Sequence, residues 1–106
     1  MKEQLKQLKK YKIEVIKSIH DTVNILEKNY GIRDVEQDLG GYVVIAENIV
    51  DIEILKQDKL QGLIPEYADM IECSRGINYN SILYILSSDF AIVVVTTEEL
   101  SKFLLE

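Results

Sequence analysis

The chain has no tryptophan, one cysteine, one histidine and one proline among its 106 residues. Each scarcity removes a class of answer. The lone thiol, Cys73, excludes an internal disulfide. With one histidine and one cysteine, catalysis would have to rest on scattered carboxylates and tyrosines, and no catalytic, metal or nucleotide signature collects them. The longest apolar run, Phe90 to Val95, is far short of the ~20 residues a membrane-spanning helix needs. The first residues are lysine-rich and lack the apolar core of a signal peptide, so the expected location is the cytoplasm, with no membrane contact. No repeat and no low-complexity tract is present.

What is there suits a small globule. Hydrophobic residues make up 47% and charged residues 28%, and a chain of 106 residues is expected to form one domain over 1–106. The net charge of −6 is unevenly spread. Residues 1 to 17 carry six lysines against Glu3 and Glu14, a balance of +4, while the remaining 89 residues hold sixteen acids against six cations, a balance of −10. That asymmetry provides a basic arm and an acidic body that repels nucleic acid.

The stretch from Tyr79 to Thr97 organises the rest. Two apolar runs rich in β-branched and aromatic residues flank Ser87-Ser88-Asp89, the pattern of a β-hairpin. A two-residue loop at Ser88-Asp89 pairs Leu86 with Ala91, Tyr84 with Val93 and Ile82 with Val95 on one face, and Ile85 with Ile92 and Leu83 with Val94 on the other. Neither face alternates with polar residues, so both need cover. Ser-Asp does not fix register as Asn-Gly does, and a longer loop would shift the pairs by one and exchange the faces, leaving the need for two-sided cover unchanged.

Taken in order, Leu5, Leu8, Val15, Ile19, Val23 and Leu26 recur at helical steps, predicting one long helix from residue 2 to about 29, within a unit of residues 1–30, closed by Gly31 with Ile32 folding back. Arg33 to Leu39 reads as a loop or weak edge strand, with Gly40-Gly41 as a turn. Tyr42 to Glu47 reads as a buried central strand. Ile49 to Gln57 reads two ways: Val50, Ile52 and Ile54 alternate with Asp51 and Glu53 as in a strand, while Ile49, Ile52 and Leu55 fit a helix face. The helix is the expectation, with Asn48 as its cap and Asp51 reaching back to it. Pro65 to Cys73 reads as a second short helix with Tyr67, Met70 and Ile71 inward. Thr96 and Glu99 form a capping box for a last helix over 98–106, with Leu100, Phe103 and Leu104 inward. The fold class expected is α+β, a long N-terminal helix packed on a small antiparallel sheet of three or more strands, with flanking short helices.

Single residues argue for structure rather than chemistry. His20 and Asp21 point about 100° apart on a helix and form no dyad. Cys73 has no histidine near it in sequence and reads as a structural thiol. Glu66, Asp69 and Glu72 recur every three residues without the convergent oxygens of a divalent-metal loop. Gly40-Gly41 precedes a strand and lacks the following helix of a phosphate loop. The expectation is no catalytic residue, no cofactor and no metal.

The function expected on these grounds is a non-enzymatic, acidic protein-interaction module, of inhibitor, immunity or accessory-regulator type, acting as a homodimer or with another protein. Its apolar sheet face, including Ile82, Tyr84 and Val93, is the expected interface. The alternative is a nucleic-acid-associated regulator that contacts phosphates through Lys6, Lys9, Lys10 and Lys12, without the arginines that dominate base readout. A third reading has the acidic body imitate DNA in the basic cleft of a nucleic-acid enzyme.

Overall fold

A computed structural model describes residues 14–16, 18–33, 35, 39–58, 62, 64–65 and 68–105. Within them the order is β1 (Glu14–Ile16), α1 (Ile19–Tyr30), β2 (Gly40–Ala46), α2 (Ile49–Asp58), β3 (Asp69–Arg75), β4 (Tyr79–Ile85), β5 (Phe90–Thr97) and α3 (Glu98–Leu105). The strands form one sheet in the order β1-β2-β5-β4-β3, four long strands with the three-residue β1 at one edge. The class is α+β, as expected, but several parts of the expectation are corrected.

The long N-terminal helix is not formed. Its apolar periodicity runs through Val15 and Ile16, yet these belong to β1, which pairs antiparallel with Val44 and Val43 of β2. The helix starts afresh at Ile19 and is 12 residues long. Ser18 caps it with extended backbone, its Oγ accepting from the Asp21 N–H at 3.2 Å and donating to Asp21 Oδ2 at 2.7 Å. Gly31 ends it in the left-handed conformation at φ 67°, donating to the Glu27 carbonyl, and the Ile32 N–H reaches the Leu26 carbonyl. The first turns of that expected helix, with Leu5 and Leu8 among lysines, lie outside the described residues.

The sheet is mixed rather than antiparallel. β2 and β5 run parallel, from Gly40 opposite Phe90 to Ala46 opposite Thr96, and α2, β3 and β4 make up the crossover between them. The close approach of the two strands depends on Gly41, at φ 137°, where a Cβ would sit 1.7 Å from the Ala91 carbonyl oxygen. Gly40-Gly41 therefore opens a strand instead of making a turn.

The expected helix from Pro65 to Cys73 is also replaced. The Ala68 N–H donates to the Pro65 carbonyl at 3.0 Å, and β3 begins at the next residue. β3 pairs with β4 through Asp69–Ile85, Met70–Tyr84, Ile71–Leu83 and Glu72–Ile82, with a register shift before Arg75. The turn between them contains Asn78 at φ 67°.

The β4–β5 hairpin is present, shifted by one residue from the two-residue-loop register. Tyr84 faces Ile92, Leu83 faces Val93 and Ile82 faces Val94. Leu86 and Ser87 both donate to the Phe90 carbonyl to close the longer loop. As anticipated for that shift, the face memberships exchange and both faces remain apolar.

Both are covered within the chain. On one face Ile19 and Leu26 of α1, with Ile32, Val35 and Leu39, enclose Val43, Ile45, Ala91, Val93 and Val95. On the other, Ile52 and Leu55 of α2, Leu104 of α3 and Ile64 enclose Val44, Ala46, Ile82, Ile92 and Val94. Burying each of the valine, leucine and isoleucine side chains among them contributes about 1.5–3 kcal/mol relative to leaving it in water. Ile82 and Val93, expected at an interface, are fully buried in these two separate cores. α2 is capped as the sequence implies, the Asp51 N–H donating to Asn48 Oδ1 at 3.0 Å. The cap of α3 is Thr97, which accepts from the Leu100 N–H, not Thr96, which lies buried in β5. Phe103, expected inward, is 46% exposed.

Candidate interaction cleft

The helical cover is uneven. α2 and α3 lie over the middle of the sheet, and at the β3 end a cleft of about 260 Å³ remains open between the helix layer and the strands. Leu55 and Lys56 of α2, Leu104 of α3, Ile64, Pro65 and Ala68 before β3, Met70 of β3 and Tyr84 of β4 line it. Met70 and Tyr84 meet there because they are directly paired across β3 and β4, and paired residues project to the same face. Met70 is 44% exposed, so the cleft carries accessible apolar surface up to the sheet edge.

That edge is itself open. β3 is the last strand in the order, and among the described residues nothing pairs with its outer side. Such an edge presents unpaired N–H and C=O groups, which a further strand can satisfy.

Two polar groups mark the described wall of the cleft. Lys56 is exposed and is the one charged residue on the described wall. Tyr84 is half-buried, and removal from water pushes its phenol up to about 12. At neutral pH it keeps its proton and can act as a hydrogen-bond donor, not as a base.

Of the residues expected at an interaction site, Tyr84 alone belongs to this cleft; Met70 and Leu104, expected to point inward from helices, also line it. Lys6, Lys9, Lys10 and Lys12 lie outside the described residues. His20 is exposed on α1 and distant in sequence from the cleft residues. The Glu66, Asp69 and Glu72 spacing loses its helical meaning, because Asp69 and Glu72 belong to β3. No group of three or more His, Cys, Asp or Glu side chains is placed to hold a metal among the described residues.

Sequence reasoning assigned Pro65 and Met70 to a helix rather than to this cleft, and did not single out Lys56 or Ala68. The missed signal is the turn chemistry of Gly76 to Asn78, which marks a hairpin into β4 and so makes the preceding residues a strand. Elsewhere, among the described residues, no helix is long and apolar enough to cross a membrane. A second, polar hollow lies at the start of α3, lined by Asn78, Thr97, Glu98, Glu99 and Lys102. Compared with family models, curated proteins and solved structures, the chain matches none.

Proposed function

We propose that this protein is a non-enzymatic interaction module that binds another protein chain at the open β3 end of its sheet. An inhibitor, immunity factor or accessory regulator works in this way, and a second copy of the chain is a partner of the same kind, giving a homodimer. The observation that carries the reading is the juxtaposition of an unpaired strand edge with an apolar cleft. Extended edges and accessible apolar surface are both features that proteins ordinarily cover, and here they coincide. The cleft's chemistry supports binding over catalysis. Its described wall is mostly apolar, and its phenol, Tyr84, is held protonated by burial and so offers a hydrogen-bond donor rather than a base.

The test is position-specific photo-crosslinking in the cells that make the protein, with the crosslinking side chain at Met70 or at Glu53, which is exposed on α2. The expected result is a discrete protein adduct from position 70 and none from position 53. Light scattering on a sizing column distinguishes self-pairing from a different partner. A monomer that yields no adduct at position 70, or equal adducts at both positions, rejects the reading.

A further inference from the structure

We infer that the occupant of the cleft is an extended segment of a partner protein, added to β3 as a further strand, with one large apolar side chain in the cleft and a carboxylate on Lys56. This rests on the interaction-module reading above and specifies its partner. Three observations converge on it.

The first is the backbone. The opposite edge of the sheet is the three-residue β1, whereas β3 offers seven residues. From Asp69 to Glu72 its ladder with β4 is unbroken, and the register shifts only before Arg75. A guest strand would lie about 4.8 Å outside β3, with main-chain hydrogen bonds over this regular part. The bulge bounds the match to about four residues, so the guest is a short motif.

The second is size. Pockets that hold drug-sized ligands run to about 300–1,000 Å³, and this one, at about 260 Å³, is smaller and open. It suits a single anchor of phenylalanine or leucine size rather than a cofactor. Guest residues alternate faces, so only those on the Met70 side of the sheet can enter.

The third is charge. Among the described residues, Lys56 is the one charge on a wall otherwise made of Leu55, Ile64, Pro65, Ala68, Met70, Tyr84 and Leu104. A guest carboxylate two residues from the anchor shares its face and can reach the ammonium, whereas a guest cation there meets like charge. The net charge of −6 opposes an acidic guest at a distance. That repulsion is screened beyond about 8 Å at physiological salt, and a contact pair with Lys56 is not.

The experiment uses a labelled, acetylated and amidated peptide, Ser-Thr-Phe-Thr-Glu-Thr-Ser, titrated into the full chain by fluorescence anisotropy, with amide exchange followed at residues 69–72. The expected result is saturable binding that protects those amides. Affinity should fall at least tenfold when the peptide's Phe becomes Ala, when its Glu becomes Lys, or when the backbone nitrogens of both the Phe and the Thr that follows it are methylated, a pair that includes an N–H facing β3 in either strand direction. In the Lys56→Glu protein the preference should reverse in favour of the Glu-to-Lys peptide, a rescue that a general loss of folding cannot produce. Absence of binding at millimolar peptide overturns the inference, as does indifference to the anchor or to backbone methylation, or failure of the reversal. If crosslinking at Met70 succeeds while the peptide fails, the interaction reading stands and this account of the guest falls. A dimer that excludes the peptide has the same meaning, with a second copy as the occupant.

Discussion

At the scale of residues, two buried polar groups behave differently. Asn80 and Ser101 satisfy each other under α3, Asn80 Nδ2 donating to Ser101 Oγ at 3.2 Å, while Ser101 donates onward to the Glu98 carbonyl at 2.7 Å. Thr96, beside Asn80 in the sheet and fully buried, has a hydroxyl without a hydrogen-bond partner among the described residues. Leaving such a group dry costs about 1–3 kcal/mol, and an apolar group of the same shape avoids that cost. Thr96→Val is therefore expected to raise stability by about 1 kcal/mol in urea unfolding; a fall would mean that the hydroxyl is bonded after all. Tyr84 supplies a pH-dependent counterpart. Its phenol is pushed up to about 12 by burial, so above pH 10 the unfolded chain ionises first and stability declines as pH rises towards 12. Tyr79 adds to the same slope, its phenol raised by burial and then by the charge of Glu47. Tyr84→Phe should make the decline shallower, and a stability–pH curve identical to that of the parent protein would contradict this origin.

At the scale of elements, the helix start at Ser18 decides between the structure and the simplest reading of the sequence. In an uninterrupted helix from residue 2, Ser18 would be interior, and replacement by alanine would add a few tenths of a kcal/mol through helix propensity. As a cap that accepts from Asp21, its loss should cost about 1 kcal/mol. Thermal unfolding of Ser18→Ala gives opposite signs for the two cases. The Ser18-to-Asp21 spacing was readable as a start signal, but the apolar stripe from Val15 to Leu26 fits one helix equally well and hides the break. β2, α2 and the C-terminal helix were legible because local signals agree with their context: a continuous apolar run, Asn48 before Asp51, and threonines ahead of Glu98 and Glu99. β3 was not, since Pro65 and the acids that follow favour a helix locally. The outer side of β4 needs a partner, and that tertiary demand overrides local preference. The parallel pairing of β2 with β5 was hinted at only by two runs without polar alternation, YVVIA and FAIVVV, as strands buried on both faces show. The cleft was invisible for the same reason, because it exists only once β3 is a strand.

At the scale of the whole molecule, the sheet is shared by two cores with no side chain in common. Val43, Ile45, Val93 and Val95 project to the α1 side, and Val44, Ala46, Ile92 and Val94 to the side of α2 and α3. Neighbouring residues on β2 and β5 thus serve opposite layers, and neither strand can leave one core without disturbing the other. The layers should therefore melt together despite having separate contacts. Leu26 and Ile52, each fully buried and each in its own core, provide the test. Leu26→Ala and Ile52→Ala should each cost about 2–5 kcal/mol, shifting one common transition whether it is followed by tyrosine fluorescence or by backbone circular dichroism. With no shared partner, their costs should add in the double variant to within about 0.5 kcal/mol. Two separated transitions in either single variant would show that the α1 layer opens on its own. The same comparison bears on partner binding. The guest's anchor enters only the α2–α3 side, and Leu26 lies in the other core, so the stabilisation reaches Leu26 only if the sheet transmits it. A bound guest should therefore raise the unfolding midpoint of Leu26→Ala and of the parent protein by similar amounts, as one cooperative unit requires.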